Sequence, residues 1–139
     1  AGHNTWCEYY NMLRVFKRYE FGAKTPIAMS SYPGMLSSGD DFYQVGRLVV
    51  METTLPNYNN DLFGLVRPGS LLFWIRAMIA NLLAESGPGW METFQRYNSG
   101  TYNNMWMIVD YSRFTPGRPL RAGVLTVGEQ LPGYFHYED

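Results

Sequence analysis

The 139-residue chain predicts an α+β fold in one domain, an antiparallel sheet with helices packed over it. Two observations predict it. The apolar patterns run in the order helix, strands, long apolar helix, shorter helix, strands. The strand-like runs do not alternate regularly with helices, as a parallel doubly wound sheet would require.

Each element has its own signal. Glu8 to Tyr19 is predicted as a helix, because Tyr9, Met12, Leu13 and Phe16 recur at helical period while Arg14, Lys17 and Arg18 lie largely off that stripe. Gly22 supplies a stop. Pro26 to Ser31 is short and apolar enough for a strand, and Tyr32-Pro33-Gly34 marks a turn. Gly39 and Asp40 open the next unit. Phe42 to Val45 and Leu48 to Leu55 are rich in β-branched and aromatic residues and read as strands. Gly46-Arg47 closes them into a hairpin, with Gly46 taking the positive φ, and Pro56 ends the second strand. "GSLLFWIRAMIANLLAESG" is the clearest helix, with Ser70 as N-cap and Gly87 just past its end. Apolar residues surround nearly its whole circumference, which predicts burial on more than one side. Pro88 to Tyr97 reads as a second helix with Trp90, Met91 and Phe94 on one face. Met105 to Val109 and Val124 to Val127 read as strands, and Pro116-Gly117 and Pro132-Gly133 punctuate the end.

Composition bounds the function. Hydrophobic residues make up 46% and aromatics 17%, enough for a real core. The net charge is -1 with no long basic run, so nucleic acid is not an expected partner. The longest apolar stretch, Leu71 to Ala84, is broken by Arg76 and Asn81 and is shorter than the ~20 residues of a membrane span. No transmembrane segment, signal peptide or Asn-x-Ser/Thr sequon is visible. Ala1 stands where an initiator Met would, in what reads as the end of a strand, so the chain is expected to be a piece of a longer one.

Few residues carry an obvious chemistry. Gly-x-Gly-x-x-Gly, Walker and Gly-x-Ser-x-Gly patterns are absent, so no nucleotide cofactor and no serine nucleophile elbow are expected. His3 and His136 are far apart and belong to no metal-binding motif, so no metal is expected. Asp40-Asp41 reads as a turn cap plus a solvated side chain. Cys7, the one cysteine, sits near the start of the first predicted helix, where a thiol can be activated; a lone cysteine is more often a small buried residue. "NSGTYNN", Asn98 to Asn104, is denser in polar residues than a connecting turn needs. It is either a structural turn or a polar cluster facing a site.

Several runs, taken in order, carry a resemblance: "HNTW", "MLRV", "SSYPG", "SGDDFY", "ETT", "VRP", "WMETF", "YNSGTYNN", "MIVDY" and "VLTVGEQLPG". They span Gly2 to about Gly133, and the set is similar to the phospholipase B-like family. That resemblance implies an N-terminal nucleophile hydrolase, an αββα sandwich of which this chain would form a middle section. It implies a secreted or lysosomal glycoprotein made as a precursor, in which self-cleavage exposes an N-terminal Cys. This Cys attacks an acyl bond of a lipid while its own α-amine takes the thiol proton. By the same resemblance His3 and Thr54 match pocket residues. The nucleophile lies upstream of "HNTW", and a further pocket Asn and Arg lie downstream of Asp139. Cys7 is not the matching position. The implied partners are a lipid or other acyl substrate and the remaining segments of the same precursor. Between Tyr19 and Ser30 this chain is shorter than some relatives. Two other readings stay open: a non-catalytic module of the same fold that binds lipid or glycolipid, and an inert partial domain that folds only with the rest of its chain.

Overall fold

The computed structural model describes residues 1–22 and 25–139. Ala23 and Lys24, in the Tyr19 to Ser30 segment expected to be shorter than in some relatives, lie outside the described residues. Seven antiparallel strands follow one another in chain order: β1 (Val15–Tyr19), β2 (Ile27–Ser31), β3 (Phe42–Val45), β4 (Leu48–Thr54), β5 (Asn104–Asp110), β6 (Leu125–Leu131) and β7 (Tyr134–Glu138). Two helices, α1 (Phe73–Leu83) and α2 (Gly87–Phe94), stand between β4 and β5 and cover one face. This is the α+β layering expected from the pattern.

The register explains the core. Direct partners such as Val50 with Ile108, and Glu52 with Trp106, share a face. On that face Ile27, Met29, Tyr43, Val50, Trp106 and Ile108 meet Ala77, Ala80, Trp90, Met91 and Phe94 of the helices. The aromatic rings pack closely: Trp90 and Phe94 stack at 4.8 Å, and each lies 5.0 Å from Trp106. Trp90 donates its indole N–H to Asn81 Oδ1 at 2.7 Å, so the deepest ring is satisfied from α1.

Several sequence expectations need correction. Glu8 to Tyr19 is not a helix. Only Tyr9–Asn11 makes a single 3-10 turn, and Val15–Tyr19 pairs with β2 along its whole length. The apolar stripe that predicted a helix stays in solvent, with Tyr9 89%, Leu13 67% and Phe16 75% exposed. A short helix is marginal without a buried face, whereas a strand gains a full ladder of hydrogen bonds from β2. Second, Ser70 does not cap α1. Leu72 occupies that position without a side-chain bond, and Ser70 Oγ donates to the Arg67 carbonyl instead. The expected burial of α1 on more than one side holds: no residue from Phe73 to Asn81 is exposed, and Arg76, Ala77, Met78, Ala80 and Asn81 are buried, while exposure begins at Leu82 and Leu83. Third, β7 lies beyond the strands that periodicity shows, and Pro132-Gly133 is the turn that pairs it with β6.

Gly87 also has a different role from the one expected. It opens α2, and a Cβ there would lie 2.3 Å from Thr126 Oγ1 and 2.8 Å from its Cβ. Thr126 is fully buried, so the glycine sets how closely α2 approaches β6. Gly87→Ala in the full-length protein is therefore expected to cost about 1–3 kcal/mol by overpacking. Chemical denaturation reads this directly, and an unchanged midpoint would show that Thr126 yields freely.

Candidate functional site

A cleft of about 400 Å³ opens at the sheet end where β3 begins and β4 ends. Its wall is the extended segment His3 to Trp6, and its floor includes Asp40, Glu52, Thr53, Thr54 and Tyr102. His3 is held by a hydrogen bond between Nε2 and the Glu52 carbonyl, 3.0 Å, and its ring lies 6.2 Å from that of Phe42. Thr54 ends β4, opposite Asn104 of β5. The fold thus brings His3 and Thr54 to one cleft. It does not bring the other candidates there. Cys7 is exposed in the neighbouring depression, with Arg14 Nη2 donating to its Sγ at 3.6 Å. His136 sits on edge strand β7 beside Glu138.

Asp40 and Asp41 overturn the reading of a cap plus a solvated side chain, since both are buried. Their environments differ. Asp40 Oδ2 accepts from Arg14 Nε at 3.0 Å and from the Ser30 hydroxyl, and Oδ1 accepts from Tyr32 at 2.5 Å. Burial pushes the Asp40 carboxyl up, but the hydroxyls of Ser30, Tyr32 and Thr5 and the Arg14 charge outweigh it and hold it below its usual value. Asp41 has only the Tyr102 hydroxyl, which donates to Oδ2 at 2.9 Å, and its Oδ1 is buried without a partner. Burial, with Asp40's charge added, pushes Asp41 up to about 7. Glu52 stands at a core position of β4 with Oε2 buried and unpartnered, and burial, then the Asp41 charge, raises it to about 7 as well. Neighbouring carboxyls pushed apart in this way can divide charge and proton between them.

Tyr102 answers the question posed by "NSGTYNN". The turn is structural and it faces the site. Asn98 Nδ2 donates to the Leu131 carbonyl, and its Oδ1 accepts from Gly100 N. Gln130 Nε2 donates to the Thr101 carbonyl and to Asn103 Oδ1. Arg76 donates to Gln130 Oε1 at 2.7 Å and to Ser99 Oγ. So fixed, the turn holds Tyr102 at φ 53, where its ring packs 4.2 Å from Phe73 and its hydroxyl reaches Asp41, itself at φ 47. Positive φ at two such residues is strain that the surroundings enforce, and it accumulates at functional positions. Glu52 is not among the residues singled out from sequence, and Tyr102 is singled out only as part of the "NSGTYNN" stretch. The available signal for Glu52 was a carboxylate inside the apolar run "VVMETT".

The cleft offers hydroxyls from Thr5, Thr53, Thr54 and Tyr102, the ionised Asp40 and the Glu52 carboxyl, which exchanges a proton near neutrality, but no thiol lines it. No group of three His, Cys, Asp or Glu side chains converges on a metal position among the described residues. No helix there is long and apolar enough to cross a membrane.

The acid pair gives stability a definite pH dependence. Unfolded, Asp41 and Glu52 have ordinary carboxyl affinities near ~4. Folded, both stand at about 7, so the native state holds protons more tightly. Their stabilisation is complete below about pH 4 and is lost as pH rises through about 7. Asp40, held below its usual value, acts oppositely, and its contribution is lost only as pH falls through that lowered value. The thermal midpoint of the full-length protein should therefore fall between about pH 5 and pH 8. Asp41→Asn should flatten that fall; a slope unchanged by the substitution would contradict the assignment.

Comparison with known proteins places the chain in a family. The family model described as Phospholipase B matches residues 1–139. Phospholipase B-like protein B of Dictyostelium discoideum is 50% identical over 147 residues, covering 100% of this chain and 26% of that protein. Proteins D and C of the same organism are 48% and 49% identical over 149 residues, again with 100% of this chain and 26% of theirs. The chain spans about a quarter of the length of these relatives. By the match along its whole length, this chain belongs to the phospholipase B family.

Proposed function

We propose that these residues form one wall of the active site of an acyl hydrolase that cleaves ester or amide bonds of lipids. The observation that carries this reading is the meeting of His3 and Thr54, distant in sequence, on one cleft beside a buried acid pair. Family membership and the phospholipase names of the relatives support it. The nucleophile in this reading is an N-terminal Cys outside the 139 residues.

The chemistry follows from the types of group. The α-amine of the nucleophile takes the thiol proton, and the thiolate attacks the acyl carbonyl carbon. The tetrahedral intermediate collapses to a thioester, and the leaving alcohol or amine receives the proton from the α-ammonium. Water, deprotonated by the same amine, then releases the acid and restores the thiol. His3 and Thr54 position or polarise groups in the pocket. His3 is suited to this because one ring nitrogen is fixed on the Glu52 carbonyl, which sets the ring orientation. Preorganised donors at the oxyanion supply a large share of such catalysis. By the family resemblance the full-length protein works in the lysosome or outside the cell, where tagging it reads its location.

Kinetics test the reading. In the full-length protein His3→Ala and Thr54→Ala should each lower kcat/KM on a lipid ester or amide by roughly 10- to 1000-fold without loss of fold. Unchanged kcat/KM in both variants would remove these residues from the site. Variants that lose lipid binding in a protein showing no turnover would favour a non-catalytic binding module. The isolated 139 residues should have no hydrolase activity; turnover abolished by Cys7→Ala would move the nucleophile into this chain.

A further inference from the structure

Several buried polar atoms on the helix-covered face have no partner, and they cluster. Asp41 Oδ1 and Glu52 Oε2 are two, and Asn104 and Trp106 Nε1 are close by in register. Glu52 is the direct cross-strand neighbour of Trp106, and Thr54 that of Asn104. Asp41 is 1% and Glu52 7% exposed, and bulk water reaches neither Asp41 Oδ1 nor Glu52 Oε2. A buried ionised carboxylate without a partner is strongly disfavoured. Asp41 stands one residue before Phe42, whose partner Met51 precedes Glu52, and a proton held between the two carboxyls would satisfy both orphaned oxygens.

We propose that Asp41 and Glu52 share a single proton between Asp41 Oδ1 and Glu52 Oε2, directly or across one bound water, and act as positioning residues under the cleft. The shared proton satisfies both orphaned oxygens and leaves the pair with one negative charge. Tyr102 fixes the orientation by donating to the other Asp41 oxygen. The groups around the pair fit this state. From the preceding turn Asp40 adds negative charge, and Arg14 is already committed to Asp40. Tyr43 of β3 has its hydroxyl on Ser38 N, raised by burial and then by Asp41. Asn104 and Trp106 of β5 are neutral, and α1 presents Phe73. From the chain's first segment His3 faces Glu52 with its Nε2 on the Glu52 carbonyl, and among the described residues no Lys or Arg pairs with Asp41 or Glu52, so a proton is an available counter-charge.

The consequence is positional. Glu52 carries the backbone carbonyl that holds His3, and Asp41 holds Tyr102. Release of the shared proton to solvent through the cleft leaves two like charges side by side, and their repulsion loosens both attachments. The pair's part in catalysis rests on the acyl-hydrolase reading above, whereas the shared proton does not.

Infrared titration of the full-length protein tests this without turnover. The protonated-carboxyl stretch should show one proton retained toward neutral pH and lost in a single step, the pair titrating as a unit. In Glu52→Gln the proton affinity of Asp41 should drop at least about tenfold, because the like charge is gone. In Tyr102→Phe, which removes only a hydroxyl, the retained proton should bind more tightly, because a bond favouring the ionised form is lost. These opposite signs are not expected of a structural role. Two protons lost independently, or a retained proton indifferent to Glu52→Gln, would overturn the proposal. An intact infrared signature in a protein that hydrolyses no acyl substrate would instead remove the catalytic reading alone.

Discussion

The fold depends on one buried guanidinium. Arg76 of α1 is 2% exposed and has no carboxylate partner. Its donors go to the carbonyls of Leu71 and Phe94, to Ser99 Oγ and to Gln130 Oε1, and its plane lies 4.4 Å from the Phe94 ring. One side chain therefore ties α1 to α2, to the Asn98–Asn104 turn and to β6. Burial lowers its proton affinity, to about 10, which still leaves it charged at neutral pH. A buried charge is tolerated only when its hydrogen-bonding capacity is used, and here it is used on carbonyls and neutral side chains. Removal would leave several acceptors unmet at once, so the cost falls on the whole arrangement and not on one contact.

From Arg76 the constraint passes to the site in two steps. Gln130 transmits it to the Thr101 carbonyl and Asn103, which fixes the turn. The turn then holds Tyr102 in a conformation that a free tyrosine rarely adopts, against an aspartate equally strained. The strain at Tyr102 and Asp41 is sustained by packing some distance from the cleft. This is why the polar turn is dense: its Asn and Ser side chains satisfy backbone groups that the left-handed conformations leave open.

The strands β2 to β5 were legible in the sequence because β-branched and aromatic runs were bounded by Pro and Gly at the positions the turns require. The segment Glu8 to Tyr19 was not, because a helical stripe says nothing about which partner will bury it, and β2 offered a ladder instead. Gly87 looked like a helix end, but the close approach of Thr126 is a tertiary fact. At the site, His3 and Thr54 were legible only through a resemblance. Asp41 and Tyr102 are 61 residues apart, and no local pattern foretells that β3 and β5, on either side of β4, bring them together. Composition marks Glu52 as odd in its strand, and only the fold shows what it is odd for.

The two faces of the sheet differ in how complete they are. The helix-covered face is closed by α1 and α2. On the other, the register aligns Val49 with Val109, Val109 with Leu125, and Met107 with Val127, all apolar and none fully buried. An alternation of this kind, apolar on both sides, is what a sheet shows when a layer lies on each face. An αββα sandwich would set its second sheet there. His3 packs toward Phe42 of this same face, so the cleft has its described wall on one side and borders the open face on the other. The uncovered apolar surface and the half-built pocket thus call for the same complement.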